Sequence, residues 1–300
     1  MDARVPITIA TAYAVLVHIA NRYRKINSEP LSITKSKFFK AFVLIHNIGL
    51  CVYSAWTFGG MIRVFYKSIF ETSKLLGPVW NSSSKYAIWS SICNLNDGIW
   101  GTGLQYYGYY FYLSKFYEVF DTIIILAKGK KSSLLQTYHH SGAMISMWLG
   151  IRYSSPPIWI FVVFNSLIHT LMYLYYTLSA LKLKIPTALK RALTTAQIIQ
   201  FVFGGSLGLL HTFVNYIDPR TGELEYCINT PGQNTALIFI IGYLAPLTYL
   251  FVTFFIESYL KKSRASNRRK NERKQDTNSS TLSTSTGVNE ETKSVRSRTT

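Results

Sequence analysis

Charge is scarce in this sequence, and acidic charge is scarcest. Of the 300 residues 15% are charged, and 14 Asp or Glu stand against 32 Lys or Arg, which gives a net charge of +18. A soluble domain normally carries about 25% charged residues. The hydrophobic residues, 48% of the chain, gather in long runs. This composition argues against a soluble globular protein and predicts an integral membrane protein.

We expect no cleavable signal peptide in the first apolar run. The first apolar run has no basic segment before it and no small-residue exit, and Arg22 and Arg24 follow it. We therefore interpret it as the first span of an all-α bundle of seven transmembrane helices over residues 1–260. A weaker patch at residues 80–100 predicts a loop or an interfacial segment. The predicted helices are Val5–Ala20, Phe38–Phe58, Tyr106–Ala127, Ser133–Ile151, Pro157–Leu181, Thr187–Val214 and Leu237–Tyr259.

Basic residues orient these helices, because lysine and arginine favour the cytosolic side of a membrane. They concentrate after the first, third and fifth helices and in the tail, which predicts a lumenal N-terminus and a cytosolic C-terminus. Residues 261–300 carry eleven Lys or Arg and four Asp or Glu with almost no apolar side chains. This predicts a disordered cytosolic tail. Nucleic-acid binding is the alternative for such a tail, but beside a membrane span contact with anionic lipid is favoured, and we expect no nucleic-acid partner.

Two features fit the predicted lumenal side. Asn81 begins an Asn-Ser-Ser glycosylation sequence in the second connection. Cys93 and Cys227 fall in the two longest lumenal connections, where thiols can oxidise, whereas Cys51 lies within a span. We predict glycosylation at Asn81 and a disulfide between Cys93 and Cys227. Two unpaired thiols are the alternative.

Polar side chains lie inside four of the apolar runs, where such groups are costly and usually functional. Each set repeats at helical spacing and so forms one stripe on its helix. The predicted topology places all four stripes in the cytosolic half of the membrane, which predicts a shared pocket reached from the cytosol. The stripes contain Lys115, Glu118 and Asp121; Gln136, His139 and His140; Asn165, His169, Met172, Tyr173 and Tyr176; and Thr194, Gln197, Gln200 and Phe201.

Structural roles compete with chemistry at these positions. The lysine and the two carboxylates could form an ion-pair network that holds helices together, alone or in addition to a catalytic role. Most tyrosines pack helices and line interfaces, so only Tyr173 and Tyr176 are pocket candidates. Two adjacent imidazoles, His139 and His140, favour chemistry or metal binding over structure. The remaining histidines, His18, His46 and His211, are isolated, and we interpret them as structural or of unknown role.

The chain has too few histidines for the pocket to be a typical diiron site. A diiron desaturase or hydroxylase needs many nitrogen and oxygen ligands, and this chain has six histidines in all. The number of ligands does not exclude a single zinc ion held by His139, His140 or His169 together with a carboxylate. Without metal, imidazole can act as a general base or as a nucleophile that forms an acyl-imidazole. We predict no metal site and no cofactor.

Four motifs run through the stripes. Lys115 to Thr122 matches K-x-x-E-x-x-D-T, Asn165 to Tyr176 matches N-x-x-x-H-x-x-M-Y-x-Y-Y, and Thr194 to Phe201 matches T-x-x-Q-x-x-Q-F. With these motifs, the chain resembles the ELO family of fatty acid elongases, the membrane condensing enzymes of very-long-chain fatty acid synthesis. The resemblance covers the second to the seventh predicted helices. The fourth motif departs from the family's H-x-x-H-H, because Gln136 takes the first position, as in some microbial members.

The resemblance implies a decarboxylative condensation of malonyl-CoA with a long-chain acyl-CoA, through an acyl-histidine intermediate, to a 3-ketoacyl-CoA two carbons longer. It implies His139 as nucleophile, His169 as its partner or an alternative acyl site, and His140 as base or positioning residue. Gln136 would be an orienter or an oxyanion donor. The remaining roles are Lys115, Asn165, Gln197 and Gln200 on the thioester and oxyanion, and Glu118 and Asp121 as orienting carboxylates.

The same resemblance implies a setting. We expect a multi-pass protein of the endoplasmic reticulum membrane that works beside the other enzymes of the elongation cycle, with a homodimer as one arrangement it could adopt. The apolar bundle interior would hold the acyl chain in a closed-ended tunnel whose depth sets product length. A metal-dependent membrane desaturase or hydroxylase is the alternative enzyme. A seven-helix receptor or transporter is a further alternative, and it would place its polar groups toward the lumen or across the whole membrane.

Overall fold

The computed structural model describes residues 1–26, 29–78 and 84–261. Within these residues the chain forms nine α-helices and one two-stranded hairpin, which confirms the all-α class. Asn81 and the predicted tail beyond residue 261 lie outside the described residues. In chain order the elements are α1 (Arg4–Ile26), α2 (Lys37–Leu76), α3 (Ser84–Cys93), α4 (Gln105–Tyr117), α5 (Val119–Ala127), α6 (Leu134–Arg152), α7 (Ile158–Ala180), α8 (Thr187–Leu210), β1 (Asn215–Ile217), β2 (Leu224–Tyr226) and α9 (Pro231–Phe255).

Capping residues fix where the helices begin. The Ser36 side chain accepts a hydrogen bond from the Phe39 backbone at 3.0 Å and starts α2. Ser133 caps α6 in the same way, by accepting from the Gln136 backbone at 3.1 Å. A side-chain oxygen in this position satisfies a backbone N–H that the helix itself cannot pair. Pro231 opens α9, where its missing N–H has no consequence.

Helix α2 is about twice as long as the predicted second span. It has 40 residues, whereas the apolar run ends near Phe58. Beyond that point its buried residues keep a helical spacing, which continues the helix although exposed charged side chains lie between them. These buried residues are Met61, Val64, Ser68, Thr72 and Leu76. Helix α2 packs along α7 more extensively than any other described pair of helices, and the core gathers around this pair.

Five helical segments among the described residues are long and apolar enough to cross a membrane. A polytopic membrane protein is therefore confirmed, but these five do not reach the predicted seven spans. The predicted third span is divided, because α4 ends at Tyr117 and α5 begins at Val119. The predicted fourth span is α6, whose 19 residues include the polar stripe from Gln136 to His140. The five segments are Arg4–Arg24, Lys37–Leu76, Ile158–Ala180, Thr187–Phe213 and Pro231–Lys261.

We use the name disulfide cap for residues 84–98, which hold α3 and the turn after it, together with the hairpin β1–β2 and the bond between Cys93 and Cys227. Helix α3 occupies part of the segment predicted as a loop or interface, because its side chains pack against β1 and α2. The strands are antiparallel, with Tyr216 opposite Glu225. Gly222 closes their turn at φ +75°, a backbone conformation that other residues rarely adopt.

Contacts divide the chain at the end of α9. Residues Met1–Phe251 form one compact unit, and a second unit begins at Val252. Within the described residues, the second unit holds the last turn of α9 and the π-helical turn Ile256–Lys261. There the rings of Phe255 and Tyr259 lie 5.2 Å apart. The polar stripes predicted from the sequence all belong to the first unit.

Candidate active site

A buried ion pair lies at the break between α4 and α5. Lys115 is fully buried, and its Nζ lies 2.7 Å from Oε1 of Glu118, the residue between the two helices. The same Nζ donates to Oδ1 of Asn165 at 3.0 Å and lies 3.9 Å from the centre of the Phe111 ring. An ammonium group away from water needs such partners, because its desolvation is otherwise uncompensated. The pair ties α4 and α5 to α7.

The other side of Glu118 faces two histidines. Its Oε1 lies 3.5 Å from Nδ1 of His169, and its Oε2 lies 4.0 Å from Nδ1 of His140. Among the described residues, neither Nδ1 nor Oε2 has a hydrogen-bond partner, although all three atoms are buried. Buried polar atoms are nearly always paired, so unpaired ones call for an explanation such as catalysis. Glu118, His139, His140 and His169 are called the histidine cluster below.

Gln136 positions His140. Its Nε2 lies 2.8 Å from Nε2 of the imidazole, and an amide nitrogen can only donate. His140 therefore accepts at Nε2 and carries its proton on Nδ1, the atom that faces Glu118. The same amide reaches Thr122 at 3.4 Å, and Thr122 bonds the Tyr13 hydroxyl at 2.7 Å. Helix α1, which the sequence resemblance did not cover, thus contributes to the network.

His139 stands one position before His140 and makes different contacts. Its ring centre lies 5.3 Å from that of His140 and 6.1 Å from that of His169. Its Nδ1 lies 3.0 Å from the Tyr243 hydroxyl of α9. No hydrogen bond to its Nε2 is found within residues 1–26, 29–78 and 84–261, and the residue is only partly buried. The imidazole that the resemblance implies as nucleophile is therefore less buried than those of His140 and His169.

Asp121 belongs to a second group of polar side chains. The break at Glu118 interrupts the helical stripe, and Asp121 bonds His46 of α2 instead of Lys115. Its Oδ1 lies 2.9 Å from Nε2 of His46, and its Oδ2 accepts from the buried Tyr173 hydroxyl at 2.6 Å. The Tyr117 hydroxyl lies 3.3 Å from the other nitrogen of His46. Two of the predicted site residues, Asp121 and Tyr173, thus bond each other directly, and Asp121 also bonds a histidine that we interpreted as structural or of unknown role.

Two of the remaining predicted residues, Gln200 and Phe201, line an apolar cavity. Gln197 instead contacts Sδ of Met172 at 4.0 Å. Tyr176 is 41% exposed and meets Tyr173 ring to ring. The cavity has a volume of about 50 Å³ and lies between α7, α8 and α9, and Asn165 and Tyr243 link it to the polar groups. Its apolar lining includes Ile160, Phe161, Phe164, Leu237, Ile241 and Leu244.

Three residues contribute to the site although the sequence did not predict them. Tyr243 lies in an apolar run whose composition does not mark one tyrosine among 21. His46 had a usable signal, because it is a histidine at membrane depth. Tyr13 lies on a helix outside the quoted motifs. Each depends on a contact between helices far apart in the chain, which helical spacing within a single segment does not reveal.

Comparisons with known proteins find relatives of this chain. The family described as ELO: GNS1/SUR4 family matches residues 1–267. Fatty acid elongase A of Dictyostelium discoideum is 28% identical over 259 residues, covering 86% of this chain and 84% of that protein. Fatty acid elongase 2 of Trypanosoma brucei brucei is 31% identical over 155 residues, covering 51% of this chain and 56% of its own.

Long chain fatty acid elongase 1 of Caenorhabditis elegans is 28% identical over 220 residues, covering 71% of this chain and 67% of that protein. No solved structure matches the chain significantly. The family match begins at residue 1, and so it includes the α1 segment that the motifs left out. The three relatives carry the same activity in their names, and the family match spans most of the 300 residues. This chain belongs to the ELO: GNS1/SUR4 family.

Proposed function

We propose that this chain joins an acyl group to malonyl-CoA by way of an acyl-imidazole on His139. The chain is a condensing enzyme of fatty acid elongation, and its activity is that of an acyltransferase. The histidine route is what the proposal adds. The observation that carries it is a partly buried His139 whose Nε2 has no hydrogen bond among the described residues, beside three buried atoms that also lack partners there, Glu118 Oε2, His140 Nδ1 and His169 Nδ1. Such an imidazole suits nucleophilic attack on a thioester.

The first half-reaction is an acyl transfer. The lone pair on Nε2 of His139 bonds the thioester carbonyl carbon, and the carbon–sulfur bond breaks. CoA leaves as the thiolate. The acylated ring then loses its N–H proton, which ends on the thiolate and gives the free CoA thiol. The product is a neutral acyl-imidazole, which is activated toward a carbon nucleophile.

The second half-reaction makes the new carbon–carbon bond. Malonyl-CoA loses carbon dioxide, and the electron pair of the broken bond becomes an enolate. The enolate carbon bonds the acyl carbonyl while the nitrogen–carbon bond breaks. The imidazole keeps that electron pair and takes up a proton. A 3-ketoacyl-CoA two carbons longer leaves, and His139 is regenerated.

The neighbouring groups suit these steps. Lys115 concentrates positive charge beside Asn165, where an oxyanion or an enolate oxygen would need donors. His140 faces Glu118 through Nδ1 at 4.0 Å, a distance that closes with a small movement when substrate binds. His169 shares the same carboxylate at 3.5 Å and is the second candidate for carrying the acyl group.

The apolar cavity suits the acyl chain. It contains mostly aliphatic and aromatic side chains, and Gln200, Asn165 and Tyr243 lie where a carboxyl-derived head group would sit. Burying a methylene contributes about 0.8 kcal/mol, so each methylene of the chain that enters this cavity adds to the affinity. The depth of the cavity would then limit product length.

The membrane arrangement is part of the proposal. Counting α4 with α5 as one crossing and α6 as another, the five apolar segments become seven crossings, with a lumenal N-terminus and a cytosolic tail. Basic side chains before α6 and before α8 would then face the cytosol, where the phosphates of CoA are found. Residence in the endoplasmic reticulum and contact with other enzymes of the cycle rest on the family.

Denaturing intact mass tests the proposal. The purified full chain is incubated with a long-chain acyl-CoA and without malonyl-CoA. We expect one added acyl mass that maps to His139, is absent in His139→Gln, persists in His169→Gln and disappears with 3-ketoacyl-CoA release when malonyl-CoA is added. Product formation without any adduct, together with normal turnover of a folded His139→Gln, would contradict the acyl-histidine route.

A further inference from the structure

We propose that Tyr243 is a positioning residue that holds the ring proton of His139 on Nδ1 and so leaves the lone pair on Nε2. The inference rests on the proposed acyl-histidine step. It adds a residue from α9, which lies outside all four motifs, and it identifies which nitrogen of His139 attacks.

The hydrogen bonds around the Tyr243 hydroxyl fix the direction of each donor. The hydroxyl lies 3.0 Å from the backbone carbonyl of His139, which can only accept, so the hydroxyl donates there. It also lies 3.0 Å from Nδ1 of His139. A phenol has one proton, and that proton is already engaged. The bond to Nδ1 therefore requires an Nδ1–H that donates to the phenol oxygen.

Packing holds the tyrosine in this place. Its ring stacks on Tyr138 with centres 5.5 Å apart, and the Tyr138 hydroxyl donates to the Tyr243 carbonyl at 3.3 Å. On the other side the ring rests on Gly142, where a Cβ would collide with it. Tyr243 is also 5% exposed. The Tyr243 ring therefore packs against α6 on the helical turn that follows His139.

His211 shows what a structural histidine looks like in the same chain. Its Nδ1 donates to the Leu207 carbonyl at 2.7 Å, and its Nε2 accepts from the Trp159 indole at 3.3 Å. Both nitrogens are occupied, so no lone pair is left for chemistry. Among the described residues, His139 has a hydrogen-bond partner at Nδ1 and none at Nε2. The difference is the arrangement expected of an oriented nucleophile, in which one partner sets the tautomer and the other nitrogen stays free.

The bond to Tyr243 also serves the acylation step. As Nε2 bonds the thioester carbon, positive charge develops on the ring and on Nδ1–H. The phenol oxygen, preorganised at 3.0 Å, stabilises that charge until the ring proton leaves. Without the hydroxyl, the His139 imidazole would populate both neutral tautomers, and only one of them would present a lone pair on Nε2 to the substrate.

Nitrogen-15 NMR of the imidazoles tests the assignment directly. The full chain is labelled at histidine and reconstituted in lipid nanodiscs, and His139→Gln identifies the resonances of His139 among six histidines. We expect wild-type His139 to be protonated on Nδ1 and unprotonated on Nε2. In Tyr243→Phe, which keeps the ring, we expect a mixture with a substantial Nε2–H population. A wild-type His139 protonated on Nε2, or an unchanged tautomer in Tyr243→Phe, would overturn the proposal.

Kinetics provides the matched control. Tyr243→Phe should slow acyl-adduct formation at saturating acyl-CoA by roughly 10–100-fold, the range typical for loss of an orienting partner. KM should change little. Tyr138→Phe removes a hydroxyl from the ring stacked on Tyr243 without touching His139, so its adduct rate and its His139 tautomer should stay close to wild type. Equal losses in both variants with unchanged tautomers would mean that Tyr243 acts only through packing, and would refute the proposal.

Two further outcomes keep the tests separable. If Tyr243→Phe fails to fold, Gly142→Ala displaces the same ring while the phenol remains, and the wild-type spectrum needs no variant at all. If the acyl group maps to another residue while wild-type His139 is still protonated on Nδ1, the acyl-His139 route fails. Tyr243 then still sets the tautomer of His139, but the role given to it as orienter of a nucleophile fails with the route.

Discussion

The disulfide cap and the histidine cluster are both rich in polar groups, but they differ in how many of those groups have hydrogen-bond partners. In the cap, Asn94 accepts from two backbone N–H groups and donates to Asp218 at 2.9 Å. Asp97 accepts two bonds from Arg220, at 2.7 and 2.8 Å. Tyr216 donates to Glu225 at 2.7 Å, and burial followed by this bond raises the pKa of Tyr216 above its usual value. Asn215 Oδ1 is a buried oxygen of the cap without a partner among the described residues.

The histidine cluster is buried more deeply and is less complete. Glu118 Oε2, His140 Nδ1 and His169 Nδ1 have no hydrogen-bond partner among the described residues. A fully satisfied network adds rigidity, whereas unpaired ionisable groups cost stability and persist where function needs them. We therefore infer that the polar groups of the cap stabilise the fold, whereas those of the cluster serve the reaction. Mutations in the two regions should separate folding from turnover.

The largest effect is expected from Glu118→Gln. It removes the charge that faces Lys115, His140 and His169, and breaking a buried ion pair costs about 3–5 kcal/mol of stability. Turnover should fall at least about 100-fold, the lower end of what a positioned acid–base group contributes. Thermal unfolding in detergent and the rate of 3-ketoacyl-CoA formation measure the two losses.

A double variant separates these two losses. Lys115→Met with Glu118→Gln removes both charges, so it should regain most of the stability that the single variant loses. It should remain inactive, because the charges are missing from the chemistry too. Recovery of activity along with stability would show that the pair is only structural, which is the alternative that the sequence left open.

Loss of the disulfide is expected to have the next largest effect, and only on stability. Replacing Cys93 and Cys227 by serine should lower the free energy of unfolding by about 2–5 kcal/mol. Acyl-adduct formation per folded molecule should stay at the wild-type level at low temperature. Cys51→Ser is the matched control, because that thiol is free. A slower adduct without a loss of stability would mean that the cap and the cluster are coupled.

Local patterns predicted much of this comparison. Apolar runs located α1, α2, α7, α8 and α9, and helical spacing assigned nearly all of the cluster to its helices. Motifs selected Lys115, Glu118 and Asn165, which do lie together. These successes share one cause, since a single helix carries its own periodicity and does not depend on its neighbours.

The failures share a cause as well. The helix is divided at Glu118, so the stripe that joined Asp121 to Lys115 was drawn on a helix that does not continue, and α5 packs against α1 beyond that point. The extension of α2 is amphipathic, and an apolar-run criterion stops before it. Tyr243 reaches His139 across 104 residues of sequence, and nothing local marks it. Contacts between helices decide such features.

A smaller effect is expected at Gln136, and it tests how the cluster is oriented. Gln136→Glu replaces the donor to His140 by an acceptor, and leaving a buried acceptor unpaired costs about 1–3 kcal/mol. The adduct rate or its consumption by malonyl-CoA should fall tenfold or more. Gln136→His restores the motif of the resembling family and keeps an N–H that can donate, so its turnover should stay near wild type. Equal damage from both variants would mean that size, not donation, matters here.

The smallest effect is expected from Arg220→Gln in the cap. Its side chain is 64% exposed, so its pair with Asp97 is screened by water and salt. Its unfolding temperature should fall by less than that of the cysteine variant, and the difference from wild type should shrink as salt is raised. Asn94 keeps its own bonds, which hold the loop that carries Asp97. If this variant proved as unstable as loss of the disulfide, the cap would depend on its exposed ion pair, and the contrast between a satisfied cap and an unsatisfied cluster would need a different physical basis.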